Sequence, residues 1–132
     1  MLGLLSMVTS GVIATFQHDV KKIIACSTAS QLGYMTFSAC SGNLFETQFH
    51  LTSHAFFKAL LFLTAGCLIH GNSEQQDTRK AGKFAKFFPV IFSCFLVGNL
   101  SISGFPETSG FISKEKILEA TGSVYQINAL VP

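Results

Sequence analysis

Residues 54–63 read His-Ala-Phe-Phe-Lys-Ala-Leu-Leu-Phe-Leu and lie within a run, Phe49 to Ile69, whose one formally charged side chain is Lys58. As a helix these 21 residues reach about 32 Å, enough to cross a hydrocarbon layer of about 30 Å. His50, His54 and Lys58 recur at every fourth position, so a helix lays them along one face with about 6 Å of rise between neighbours. A charged side chain at the centre of a bilayer costs roughly 2.5–3.5 kcal/mol on insertion scales, so a row of ionisable groups there points to function. Imidazoles and amines both gain and lose protons, and the row suits proton movement. Plainer roles compete. Lys58 could snorkel or serve a structural hydrogen bond, but from mid-span its stem reaches a headgroup poorly. His50 and His54 could be packed interior histidines; their shared register with Lys58 favours a relay. No further ligands stand at metal-binding spacing, and no metal is expected.

Only 12% of the 132 residues are charged and 48% are hydrophobic, against about 25% charged in soluble domains. The expectation is an all-α membrane protein of about four spans, near residues 1–16, 23–40, 49–69 and 87–125, forming one membrane module. A net charge of +2 gives no reason to expect nucleic acid. Cys26, Cys40, Cys67 and Cys94 fall in apolar segments without CxxC or zinc spacing and read as small packing residues. Met1 to Phe16 lacks a basic leading region and reads as a shortened span rather than a secretory leader. A further apolar run begins at Ile127, and both ends are expected to continue into a larger bundle.

The second segment carries Ser27, Gln31, Tyr34 and Ser38 on one helical face, a face that packs on helices rather than lipid. A turn, Ser41 to Glu46, leads to the third segment. The connector 17–22 and the polar loop 71–86 must lie on one side, and they hold six of the nine basic residues, Lys21, Lys22, Arg79, Lys80, Lys83 and Lys86. The turn opposite holds Glu46 and no Lys or Arg, so the positive-inside rule puts both basic stretches on the matrix or cytoplasmic side. Asp19 reads as a local partner for Lys21-Lys22, and Asp77, Arg79 and Lys80 as solvated or paired surface charges. The fourth segment is interrupted near residues 101–110, where Gly104, Pro106 and Gly110 predict a broken helix. Membranes tolerate such a break where protein or a polar cavity satisfies the freed backbone, and transporters place ion sites there. Lys114 is expected in the first turn after the break, where the helix N-terminus disfavours an ammonium and Glu115 favours it. Glu107, inside the break, is either a lysine partner or solvated.

Several stretches together carry a family resemblance: Asp19-Val-Lys-Lys-Ile-Ile-Ala, Ser27-Thr-Ala-Ser-Gln-Leu-Gly-Tyr-Met35, Phe49-His-Leu, His54 to Leu63, Ile69-His70, Gln76-Asp-Thr-Arg-Lys80 and Gly110-Phe-Ile-Ser-Lys-Glu-Lys-Ile-Leu-Glu119. The chain resembles the antiporter-like subunits of mitochondrial NADH:ubiquinone oxidoreductase (complex I), in the subunit 5 form, from about Gln17 to Glu119. That resemblance implies a bundle of two inverted five-helix repeats, of which this chain matches most of the second. It implies that Lys114 is the lysine of the second broken helix, a terminal proton-transfer site. Lys58 is then the neighbouring lysine, and His54 and His50 are the polar residues between them. Glu115 and Glu107 become possible modulators. It further implies proton translocation coupled to NADH:ubiquinone electron transfer, with flavin, iron–sulfur and ubiquinone sites on other subunits and no cofactor on this chain. Implied partners are lipid, the other membrane-arm subunits, and a separate chain, from a split subunit, carrying the first repeat and final helices. The implied location is the mitochondrial inner membrane, with stretches 17–22 and 71–86 facing the matrix. Departures from the family pattern are Glu107 for an apolar residue, Ser53 for Thr or Asn, Ala81-Gly-Lys for Met-Gly-Gly, and Glu115 for Asp.

Two other functions fit the same residues. One is a cation/proton antiporter subunit of the related bacterial type, which the loop motif disfavours. The other is a non-pumping structural membrane module of the complex.

Overall fold

The computed structural model describes residues 1–72, 74–80, 82 and 84–130, with the side chains of 84 and 124–130 excepted. Among the described residues the chain is all helical: α1 (Leu2–Thr15), α2 (Val20–Cys40), α3 (Leu44–Gly71), α4 (Phe84–Phe87), α5 (Pro89–Ser103) and α6 (Ser109–Leu130). One of these, the 28-residue α3, is long and apolar enough to cross a membrane by itself, while α1 and α5 are apolar but shorter.

α3 is the central helix and packs against α2, α5 and α6. Its buried positions are His50, His54, Phe57, Lys58, Leu61, Thr64, Ala65, Leu68 and Ile69. Their three- and four-residue spacing is one helical stripe, mostly polar as far as Lys58 and apolar beyond it except for Thr64. A Cβ at Gly71 would meet the Phe88 ring, and one at Gly98 would meet Leu61. His50 reaches Ser113, and Asn43 reaches Thr121. These four pairs set one antiparallel register, so α5 and α6 together run back along the whole of α3.

α1 buries no residue and lies on α2. The two cross closely, because a Cβ at Gly33 would stand 2.7 Å from the Met7 amide nitrogen and 2.8 Å from the Gly3 carbonyl. Ser30 donates to the Met7 carbonyl across the same contact at 3.0 Å. Small residues let helices approach in this way.

The interior is as polar as it is apolar. Ser38, His50, His54, Lys58, Thr64, Ser101, Ser113 and Thr121 are buried alongside Ile24, Met35, Phe57, Leu61, Ala65, Leu68, Ile69 and Ile117. Large apolar side chains face outward instead, among them Leu5, Val12, Phe56, Leu63, Val90 and Leu118. In water this distribution opposes the hydrophobic effect; in lipid it is what helix packing requires.

Connector and loop meet at one end. Asp19 and Asp77 form an isolated antiparallel bridge, with Val20 N–H donating to Gln76 O at 3.1 Å and Thr78 N–H to His18 O at 2.9 Å. Asp19 pairs with Lys22 at 3.0 Å and Asp77 with Arg79 at 3.3 Å. Pairs this open to solvent are screened and contribute little to stability. The Arg79 hydrogen bond, with the positive charges of Arg79 and Lys80, holds the Asp77 carboxyl below its ordinary range. Glu46, Lys116 and Glu119 gather near the far end of α3.

The structure corrects several expected boundaries. The turn after α2 is shorter than 41–46, because α3 begins at Leu44 and takes Glu46 into its first turn, where a carboxylate suits the helix N-terminus. α2 begins at Val20, three residues before the expected segment, and the loop contains the short α4. Cys40 and Cys67 are exposed, while Cys26 and Cys94 are half-buried, so packing within this chain accounts for two of the four. Ala81 and Lys83, which belong to the departing loop motif, and residues 131–132 lie outside the described residues.

The close crossing gives a test. Gly33→Val is expected to weaken the α1–α2 contact by about 1–3 kcal/mol through overpacking, read as a fall in the amount of assembled protein in membranes. Gly11→Ala, whose Cβ would meet Ser30 Oγ at an ordinary 3.7 Å, is expected to leave it unchanged.

Candidate functional site

The site is built where α5 gives way to α6. Gly104 takes a left-handed φ of +78° and ends α5, a conformation glycine adopts at little cost. Phe105 N–H then donates to Leu100 O at 3.1 Å and Gly104 N–H to Ser101 O at 3.3 Å, the paired bonds of a Schellman cap. Thr108 N–H donates to Phe105 O, and the Thr108 carbonyl accepts from Phe111 at 3.1 Å, opening α6. Gly110 lies against Ser101, whose carbonyl a Cβ there would strike. Glu107 sits in this turn at φ +72°, exposed and without an ion pair among the described residues.

One carbonyl of the last α5 turn is met from outside the backbone. The Lys114 Nζ donates to Ile102 O. A cation at a helix C-terminus is favoured both as a donor and by the helix dipole. This alters the expected place of Lys114. It lies in the second turn of α6, past the reach of that helix's N-terminal charge, and its amine is turned back to the C-terminal end of α5. Glu115 is exposed, so the expected opposition between helix N-terminus and Glu115 is replaced by a direct amine–carbonyl contact.

α3 brings the histidines to this break. His50 is fully buried and held at both ring nitrogens, Nδ1 against Ser113 Oγ at 2.7 Å and Nε2 against Gln31 Oε1 at 3.2 Å. With Gln31 accepting, the neutral ring carries its proton on Nε2 and accepts the Ser113 hydroxyl at Nδ1. The Tyr34 ring stands edge-on to His50 at 5.9 Å, and its hydroxyl donates to the Lys114 carbonyl at 3.2 Å. Ser38 accepts from Thr47 at 2.9 Å. Three members of the polar face expected on α2 (Gln31, Tyr34 and Ser38) thus bond to α3 or α6.

His54 follows at 6.2 Å between ring centroids and packs edge-on against Phe57. Lys58 lies one turn further along. His54 is 4% and Lys58 5% exposed. The His54 Nε2 and Lys58 Nζ have no hydrogen-bond partner among the described residues. The antiparallel register of α5 on α3 carries Ile102, and the Lys114 amine resting on it, to the level of Phe57.

The structure therefore brings His50, His54 and Lys58 into one buried stripe and sets Lys114 beside it through Ser113, Tyr34 and the α5 terminus. Glu107 and Glu115 lie outside that stripe. Sequence reasoning missed Ser113 as the His50 partner and Ile102 as the Lys114 partner. Ser113 had a signal, since it immediately precedes Lys114 on a helix facing the relay; a main-chain carbonyl has none.

Comparison of the sequence with known proteins gives the family. The whole chain, residues 1–132, matches the family described as NADH:quinone oxidoreductase/Mrp antiporter, TM. It is 51% identical over 120 residues to NADH-ubiquinone oxidoreductase chain 5 of Chondrus crispus, an alignment covering 90% of this chain and 18% of that protein. Chain 5 of Arabidopsis thaliana is 49% identical over 91% of this chain and 18% of its own length. Chain 5 of Dictyostelium discoideum is 46% identical over 94% and 18%. The chain thus spans less than a fifth of the length of these curated relatives. By sequence over its full length, this chain belongs to the transmembrane NADH:quinone oxidoreductase/Mrp antiporter family.

Proposed function

We propose that this chain is a proton-translocating element of the membrane arm of respiratory complex I, in the subunit 5 position of the mitochondrial inner membrane. The observation that carries the reading is the pair of buried polar atoms without a partner among the described residues, His54 Nε2 and Lys58 Nζ. A buried donor or acceptor left unsatisfied costs about 1–3 kcal/mol, and more when charged. Two such atoms in consecutive turns are stabilised by a hydrated path along the stripe, where water or a moving proton meets them.

Protons then pass along α3 between Lys58, His54 and His50, and between that stripe and Lys114. Each residue offers a site that can hold one proton, and the spacing of one helical turn suits transfer through single waters. Lys114 changes charge where it matters for shape. As an ammonium it supports the α5 carbonyl end; as a neutral amine it loses the dipole attraction there. Coupling through the break follows, because the charge on one lysine sets the electrostatic cost of charge on the next. Glu107 and Glu115 act at most through their fields.

The spans in this reading are α1, α2, α3 and the broken pair α5–α6, about four crossings. α5 alone is short, but the pair runs the length of α3. The bridged basic stretches 17–22 and 71–86 face the matrix. Electron transfer, and the flavin, iron–sulfur and ubiquinone sites, belong to other subunits, so this chain binds no cofactor. Its partners are the other membrane-arm subunits and lipid.

The family description also names Mrp antiporters, which favours cation/proton antiport as a second reading. In purified complex reconstituted into vesicles, Lys58→Met and Lys114→Met are each expected to lower the number of protons pumped per NADH oxidised to less than half. Unchanged pumping in both would overturn the relay and leave a structural module. A loss of sodium transport with proton pumping intact would select the antiporter.

A further inference from the structure

We infer that Ser113 is a positioning residue for the relay: a buried hydroxyl that donates to His50 Nδ1 while the ring is neutral and changes partner when His50 gains a second proton. The inference rests on the proton-relay reading of the same site and goes beyond it to a residue outside the titrating set.

Ser113 is fully buried. Its oxygen has two partners, His50 Nδ1 at 2.7 Å and the Gly110 carbonyl at 3.3 Å. A hydroxyl has one proton to donate and lone pairs to accept with, so it serves one of these as donor at a time. When His50 is neutral, its Nε2–H donates to Gln31 Oε1 and the Ser113 hydroxyl donates to Nδ1. When His50 takes a second proton, that proton sits on Nδ1 and donates to the Ser113 oxygen, and the hydroxyl turns to the Gly110 carbonyl. The hydroxyl keeps its own proton throughout; the imidazole gains one. In both states every polar atom of the ring and of Ser113 has a partner, so the ring changes charge without moving and without leaving a buried group unpaired.

The switch also has an address. Gly110 packs on Ser101 at the end of α5, and Lys114 follows Ser113 directly. The hydroxyl therefore carries the charge state of His50 to the turn that holds the Lys114 amine. Other titratable groups facing His50 are Tyr34 from α2, His54 from α3 itself and Lys114 from α6. The side chain on Gln31 completes the ring's surroundings from α2.

A double-mutant cycle in the intact complex separates this role from simple packing. Ser113→Ala is expected to leave the amount of assembled complex unchanged and to lower protons pumped per NADH several-fold. In a His50→Ala background, the same substitution is expected to have no further effect. A Ser113→Ala effect of equal size in both backgrounds would assign Ser113 a structural role and overturn the inference, as would unchanged pumping in Ser113→Ala while His50→Ala lowers it. If His50→Ala alone leaves pumping intact, the failure lies with the relay reading itself. Should Ser113→Ala not assemble, Ser113→Cys, with a much weaker donor and acceptor of similar size, is read in the same cycle.

Discussion

A helix that stops within an apolar layer leaves carbonyl oxygens with no solvent to accept from, and the rest of this structure depends on how that problem is solved at Ser103. The Schellman bonds from Gly104 and Phe105 satisfy two carbonyls, and the Lys114 amine satisfies the one at Ile102. The lysine is thus part of the backbone's hydrogen-bond accounting as well as a charge. Removing its proton weakens a contact that helps terminate α5. In the proposed relay, a break held by an ionisable group is a break whose stability depends on charge, and this is how protonation is proposed to reach the conformation of α5–α6.

Burial of His50, His54 and Lys58 together would be hard to sustain by side-chain contacts alone. His50 is fully partnered, by Ser113 and Gln31, and is the ordered end of the stripe. His54 and Lys58 keep unmet capacity. The contrast divides the stripe into a part fixed by protein groups and a part that calls for mobile ones. The apolar half of α3, from Leu61 to Ile69, packs on α2 and α5 and carries no such groups, so it anchors the polar half. Outward-facing Leu, Val and Phe side chains complete a chain whose exterior suits lipid or neighbouring helices.

Much of this could be read before any coordinates, because it rests on period and on backbone chemistry. The fourfold spacing of His50, His54 and Lys58 gave their common face, and Gln31, Tyr34 and Ser38 marked the α2 face that meets it. Gly104 and Pro106 located the interruption. Other features were invisible for physical reasons. Where α6 starts depends on Thr108 and on the tight contact of Gly110 with Ser101, so Lys114 fell one turn deeper than expected. Its partner is a main-chain oxygen, and every residue has one. Ser113 looks like any small helix residue until the register of α6 on α3 sets it against His50. The start of α3 moved because Leu44 and Phe45 extend the helix ahead of the apolar run that defined the expected span.

The central claim is that His54 and Lys58 are joined by water to the Lys114 side of the break. The most direct measurement is a high-resolution electron-microscopy map of the assembled membrane arm. The account predicts ordered water density within hydrogen-bond distance of both Lys58 Nζ and His54 Nε2, continuing toward Lys114. Dry apolar packing around those two atoms, with no density between them and Lys114, would contradict it.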